Sequence, residues 1–364
     1  MIIDSSCPMP LHSRPIILIG AGGIVNDAHL PAYKLAGFWV AGIYDIDRER
    51  ALRTATRFDI PLVYYSLEDM LARSPRSVVF DLAVPGSQIL SILRQLPDNA
   101  FVLMQKPMGD DLAMAREILE LTRARHMTAG VNFQLRYAPS VNAARNMIRQ
   151  GLIGELCDIE INVNVYTPWH LWKFLYSLPR VEILYHSIHY IDLVRSFLGN
   201  PESIYARTVR HPGMPELASV RTSMIMDYGP MVRANILTNH CHDFGLLHQQ
   251  SYIKFEGTRG AIRIGMGALI NYPEGVPDSF EYIILEKNVP PAGSPVSATP
   301  ATWIKSEIPG SWFPNAFIGS MAQMMLAAEG PARPDNSVED AIHTMACVEA
   351  AYESSALGGI RPNV

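Results

Sequence analysis

The chain has 364 residues, 48% hydrophobic and 18% charged, which is long enough for two domains with their own cores and too apolar for long disordered tracts. A formal net charge of −5 offers no broad basic field, so nucleic acid and anionic membrane surfaces are excluded as expected partners. Cys7, Cys157, Cys241 and Cys347 are scattered and form no CxxC pair, which signals neither a zinc site nor a disulfide framework; reduced thiols in a cytoplasmic protein are the expectation.

Residues 1–14 lack the basic start and apolar stretch of a secretory signal and read as a flexible tail. No apolar run approaches the roughly 20 residues that span a bilayer. From Pro15 the chain alternates apolar strands with amphipathic stretches: IILIG, a helical stretch to Leu35, WVAGIYD, a helix from Asp47, SVVFDLAV, a helix from Gly86, FVLMQKP, and a helix from Asp110. That alternation predicts a parallel sheet with helices on both faces, its strands apolar because both sides are covered. A short strand at 128–131 and a helix from Pro139 to Gly151 follow.

The pattern then changes. CDIEINVNVY, SIYARTVRH, RTSMIMDY, VRANILTNH, QSYIKFEGT, GAIRIGM and EYIILEK alternate like strands covered on one face, joined by turns rich in Gly, Pro and Asn, and predict a large, mostly antiparallel open sheet. Helices are expected at 182–198, 314–329 and 337–357, and the stretch VPPAGSPVSATPAT as an exposed loop. The domain expectation is a nucleotide-type domain at 15–135 and a second α/β domain at 136–364, with the C-terminal helices able to pack back on the first.

The strand IILIG runs directly into Gly20-Ala21-Gly22-Gly23-Ile24-Val25. Gly20 permits a tight turn, Gly22 lets backbone approach a phosphate, and the helix that follows presents its N-terminus to a pyrophosphate. Val25 stands where G-x-G-x-x-G has a third small residue, so the fingerprint is imperfect, and a purely structural turn is the alternative. Asp45 ends the next strand, where a carboxylate can accept from both ribose hydroxyls and repels an additional phosphate, favouring NAD over NADP. Arg48 is near enough in sequence to soften that preference, and a plain strand-end or helix-cap carboxylate is the alternative. Ala83, Val84 and Pro85 fall at the carboxyl edge of the sheet and are candidates for the nicotinamide side.

Lys106 ends the strand FVLM-Q, just before Pro107. Half-buried beside a cationic nicotinamide, it could lower the pKa of a substrate hydroxyl or hold that hydroxyl in line; a surface lysine is the alternative. In ILYHSIHYIDLVRSFLG, Tyr185, His189, Asp192 and Ser196 fall within about 60° of one another on a regular helix. His189 is the candidate acid/base, with a reference pKa near ~6.5, and His186 its backup. Spacing of i, i+3 without further ligands makes a metal at His186, His189 and Asp192 a weak reading, and none is expected. Trp169, His170 and Trp172 could form an aromatic wall for a pyranose or merely pack a seam.

With H-L-P-A-Y, Y-D-I-D-R-E-R-A, Q-K-P, R-Y-A-P, W-K, S-I-H-Y-I-D, G-T-R-G-A-I-R-I and S-V-E-D-A-I added to the glycine turn, the chain resembles the glucose-fructose oxidoreductase, inositol dehydrogenase and rhizopine-catabolism (Gfo/Idh/MocA) family from about Pro15 to Pro362. The resemblance implies an N-terminal Rossmann doubly wound sheet, bound NAD(P), oxidation or reduction of a sugar or polyol, and dimers or tetramers through the C-terminal sheet. It implies that Lys106, preceded by the cofactor-side Gln105, contacts the reacting hydroxyl, that His189 exchanges its proton, and that Arg136, Trp172 and Lys173 border the substrate. Two departures remove carboxylates: Gln105 replaces the usual glutamate and Tyr185 the usual aspartate, and Tyr185 could donate to substrate or share a proton relay. An NAD-assisted glycosidase or lyase and a non-catalytic NAD(H)-binding regulator are the competing functions.

Overall fold

The computed structural model describes residues 3–75, 77–272, 274–285 and 302–359. Its contacts divide the chain into two units, residues 7–138 with 312–346, and residues 139–311 with 1–6 and 347–364. The expected loop VPPAGSPVSATPAT lies, apart from Thr302, outside the described residues.

In the first unit, strands β1 (Ile16–Ile19), β2 (Val40–Tyr44), β3 (Val79–Leu82), β4 (Phe101–Met104) and β5 (Thr128–Val131) form one parallel sheet in the order β2-β1-β3-β4-β5. Every residue of β1 and β3 is buried, as strands covered on both faces must be. Helices α1 (Leu30–Ala36), α2 (Arg48–Phe58), α3 (Leu67–Arg73), α4 (Gly86–Leu93) and α5 (Leu112–Ala124) fill the crossovers. Asp47, Ser66 and Asp111 cap α2, α3 and α5, each accepting from the backbone N–H three residues on. Helix α3 did not register as a periodic stretch: Met70 is its one buried residue, too little apolar surface to draw a stripe.

The second unit contains α6 (Pro139–Arg149), β6 (Leu156–Asn164), α7 (Ile188–Leu198) and strands β7 (Ser203–Val209), β8 (Arg221–Asp227), β9 (Arg233–Asn239), β10 (Gln250–Gly257), β11 (Gly260–Gly265), β12 (Ser279–Ile284) and β13 (Ile304–Ser306). These make an eight-stranded sheet, β13-β12-β11-β10-β6-β9-β8-β7, antiparallel except where β6 runs parallel to β9. Thr222, Met224 and Met226 of β8 are buried and alternate with exposed Ser223 and Ile225, the signature of a sheet packed on one face. The three-residue β13 is too short to show that alternation.

Helix α8 (Ala316–Ala327) belongs to the first unit and is apolar on nearly every side, as a helix enclosed in a core should be. Phe317, Met321, Met324 and Met325 join the cluster that holds Leu18, Val25 and Tyr33. Gly319 is required there, because a Cβ would stand 2.5 Å from the Tyr137 Cβ. Helix α9 (Val338–Leu357) follows. Residues 3–14 carry no helix or strand; the His12 N–H donates to Glu329 at 2.6 Å and Arg14 to the Ala328 carbonyl at 3.1 Å. No helix among the described residues is long and apolar enough to cross a membrane.

Candidate functional site

At the carboxyl edge of the parallel sheet, Gly20 leaves β1 with φ at +110°, and its N–H donates to the Tyr44 carbonyl at 2.7 Å. A Cβ there would meet the Ala83 oxygen at 2.4 Å, so glycine is demanded by both backbone conformation and close approach. Asn26 pins the turn by donating to the carbonyls of Ala21 and Gly22 at 3.2 and 3.1 Å. Gly22 and Gly23 lead through Ile24 into a π-helical turn, Val25–His29, whose first two N–H groups, of Val25 and Asn26, donate back to the Gly22 carbonyl at 3.2 and 3.3 Å. A Cβ at Gly22 would touch nothing within 4 Å, leaving room above the turn for a phosphate. Val25 is fully buried in the core, which is why a branched apolar residue occupies the fingerprint's third position.

Asp45 is buried at the end of β2. Its two oxygens accept from the Ala21 N–H at 2.7 Å and the Asp47 N–H at 2.8 Å, tying strand end to glycine turn. A carboxylate has about four lone-pair sites, so two remain for ribose hydroxyls, and the residues fit a dinucleotide. The guanidinium beside it is Arg50, 4.0 Å away. Arg48, expected in that place, stacks on the Tyr65 ring at 4.3 Å instead.

Ala83, Val84 and Pro85 follow β3, with the Ala83 N–H donating to the Ile19 carbonyl at 2.9 Å. Gln105 is buried; its N–H donates to the Leu82 carbonyl at 2.8 Å and its Oε1 accepts from the Lys106 N–H at 3.0 Å. The amide thus meets a backbone donor rather than a charge. Lys106 is half-buried, and desolvation pulls its ammonium down to about 8. Arg136 is buried, ion-paired with Asp340 and donating to the Asp335 carbonyl at 2.9 Å; it ties its 3-10 turn to the start of α9, a structural engagement that the sequence did not suggest.

Beneath this edge lies a network that sequence reasoning missed. The Tyr33 hydroxyl donates to Asp81 at 2.6 Å, His29 Nδ1 stands 2.7 Å from the same oxygen, and Asn132 lies 3.4 Å from His29 Nε2. All four residues are buried. Burial, then the Asp81 charge, pushes the Tyr33 hydroxyl well up. The signals were present: His29 and Tyr33 are four apart on a helix, and Asp81 is an acid inside an apolar strand.

In the second unit, a π-helical turn, Ile183–Ser187, precedes α7. Its wider turn breaks the regular projection that placed Tyr185, His189, Asp192 and Ser196 on one face. His189 and Asp192 are buried. Tyr185 packs against the apolar cluster of Leu175, Val181 and Leu217, its ring 5.7 Å from Phe174. Ser196 donates to the Leu193 carbonyl at 2.7 Å and accepts from Arg145 at 2.9 Å, so it holds the helix rather than a substrate. His186 packs with Trp169 and His240 in a triangle of rings, its centroid 4.9 and 4.5 Å from theirs.

The aromatic wall expected from Trp169, His170 and Trp172 divides. Trp169 is 2% exposed and belongs to the apolar cluster. Trp172 is half-buried, tilted against Tyr272 at 5.7 Å, and His170 and Lys173 are exposed. Among the described residues no group of three or more His, Cys, Asp or Glu is arranged to hold a metal ion.

Residues 15–133 match the model of the oxidoreductase family with an NAD-binding Rossmann fold, and residues 141–263 match that family's C-terminal domain. A curated relative, 1,5-anhydro-D-fructose reductase from Ensifer adhaerens, is 23% identical over 94% of this chain and 96% of its own. An oxidoreductase from Agrobacterium radiobacter solved with NAD+, L-tartaric acid and magnesium superposes with a TM-score of 0.75 at 20% identity, over 95% of this chain and 97% of that one. The WlbA dehydrogenase from Bordetella pertussis, solved with NADH and UDP-GlcNAcA, does so at 0.70 and 19% identity over 97% and 98%. The two models match in order along the chain, and the chain belongs to the Gfo/Idh/MocA family of oxidoreductases.

Proposed function

We propose that the protein is an NAD-dependent dehydrogenase of a sugar, sugar derivative or cyclic polyol. The observation that carries the reading is Lys106: a half-buried lysine with its ammonium lowered to about 8, on the same sheet edge as Gly20 and Asp45. Gly22, Gly23 and Ile24 would face the pyrophosphate, Asp45 the ribose, and Ala83 to Pro85 the nicotinamide side. The Asp45 carboxylate disfavours a 2′-phosphate, with Arg50 as the partial counterweight. Bound there, NAD would supply the hydride acceptor for the carbinol carbon.

The protein's residues do the rest. Below about pH 8 the Lys106 ammonium donates to the substrate oxygen and stabilises developing negative charge there. His189 takes the hydroxyl proton as general base. Trp172 with Tyr272 supplies an aromatic face against which a sugar ring can stack. Tyr205, Ile225 and Leu237 are exposed on the eight-stranded sheet, and we assign that face to a homo-oligomer contact.

The relatives' ligands direct the test. Purified protein with NAD or NADP is mixed with a panel of sugars, anhydrosugars, cyclic polyols and sugar acids, and reduced nicotinamide is followed by absorbance. Growth of the signal with NAD for one class, lost in Lys106→Met and His189→Gln, is expected. Release of an aglycone from a glycoside without accumulating reduced cofactor would overturn the dehydrogenase reading.

A further inference from the structure

Glu182 is fully buried in the second unit, directly before the π-helical turn that carries Tyr185 and His186. A carboxylate there has to be compensated; Arg180, two residues before it, is paired instead with Glu349 at 2.7 Å. Ser187 donates to one carboxylate oxygen at 2.7 Å and Thr222 of β8 to the other. His240, just past β9, places Nε2 3.4 Å from Glu182, close enough for charge attraction though outside hydrogen-bond alignment. Its Nδ1 meets the Thr167 hydroxyl at 2.9 Å. Burial alone would raise the Glu182 carboxyl, but the His240 ring, Thr222 and Ser187 outweigh it and hold it below the ordinary carboxylate value.

Two buried tyrosine hydroxyls also feel this carboxylate. Tyr190, on the same helix, is raised by burial and then by the Glu182 charge. Tyr352 of α9 is raised chiefly by burial and donates no charge of its own. His240 is the imidazole that meets Glu182, and its ring is tilted against His186 at 4.5 Å and edge-on to Trp169 at 5.5 Å.

We propose that Glu182 is a positioning residue which, through His240, sets the orientation and protonation of His186, in the turn that leads into His189. The proposal rests on the reading of His189 as the proton acceptor and extends it to a buried carboxylate, imidazole and second imidazole in series. An ionised Glu182 favours the imidazolium of His240, and a charged His240 in turn disfavours a second charge on His186.

The full chain carrying ring-labelled histidine is titrated by NMR, the two signals being assigned with His240→Gln and His186→Gln. On Glu182→Gln, the His240 midpoint falls by about one pH unit or more and that of His186 rises. Glu182→Asp, which keeps the charge but withdraws it, gives intermediate shifts and serves if the glutamine variant does not fold. An unchanged His240 midpoint in these variants, or movement of His240 without His186, overturns the proposal. With any substrate found by the panel, the kcat–pH profile of Glu182→Gln shifts while the Kd for NAD does not; an unmoved profile also overturns it. Failure of the dehydrogenase reading is seen separately, as turnover retained in Lys106→Met and His189→Gln with the histidine titrations unaltered.

Discussion

The two sheets expose their chemistry in different places. In the parallel sheet β1 and β3 are buried along their whole length, so only the strand ends are open to a ligand, and Gly20, Asp45, Ala83 and Lys106 all stand at such ends. In the eight-stranded sheet one face alternates with solvent, and the polar groups of interest come from a helix and from strand ends distant in sequence: Glu182, Thr222 and His240. A covered sheet concentrates function at an edge, whereas a half-open one lets it be assembled from several elements.

The largest effect expected from breaking the edge is at Lys106. Lys106→Met lowers kcat/KM by about 10³-fold, within the range for loss of a positioned acid/base group, for a substrate identified by the panel. The same change stabilises the ligand-free protein at pH 7 by up to about 3 kcal/mol, because the folded state no longer holds a desolvated ammonium. The sign follows from the lowered value of about 8. Between that pH and the ordinary lysine value the unfolded chain binds more protons, so wild-type stability rises with pH and the gap to the variant closes. Urea unfolding at pH 7 and pH 10 measures it; a variant less stable at pH 7 contradicts the desolvated lysine.

Next comes the glycine turn. Gly20→Ala costs about 2–4 kcal/mol, since a Cβ collides with the Ala83 carbonyl at a φ that side chains avoid. Gly22→Ala, with nothing within 4 Å of its Cβ, changes stability by less than about 0.5 kcal/mol and weakens NAD binding. Thermal unfolding with calorimetric titration separates the two, and equal destabilisation would remove the distinction between turn and cradle. Asp45→Asn is expected to weaken NAD by about tenfold, or 1.4 kcal/mol, and to narrow the preference over NADP; an unchanged ratio of the two Kd values would deny the ribose role.

The smallest effect belongs to the helix of the half-open sheet. Tyr185 packs its ring in an apolar cluster, so Tyr185→Phe lowers kcat by less than about threefold, roughly 0.6 kcal/mol. A loss of a hundredfold would make its hydroxyl a proton-relay member after all.

The same contrast explains what was legible in the sequence. Strands apolar on both faces, the turn at Gly20 and the acid at Asp45 are local patterns, and they located the nucleotide edge. Lys106 could be singled out because it interrupts an apolar strand end. The face drawn through Tyr185, His189, Asp192 and Ser196 failed in part because a π-helical turn changes the residue spacing, a departure that hydrophobic periodicity does not encode. Arg48 was expected beside Asp45, where Arg50 stands, because sequence proximity ignores where a capped helix turns its side chains. The two buried networks, His29 with Asp81 and Glu182 with His240, join residues more than fifty positions apart, and no local pattern carries that information.

The most direct test of hydride transfer assisted by Lys106 uses a panel substrate deuterated at its carbinol carbon, followed by mass analysis of the nicotinamide after one turnover. Deuterium should appear in the reduced cofactor with wild type, and Lys106→Met should slow its appearance by about 10³-fold. Product formed without deuterium on the cofactor, or deuterium transferred at the wild-type rate by Lys106→Met, would contradict the account.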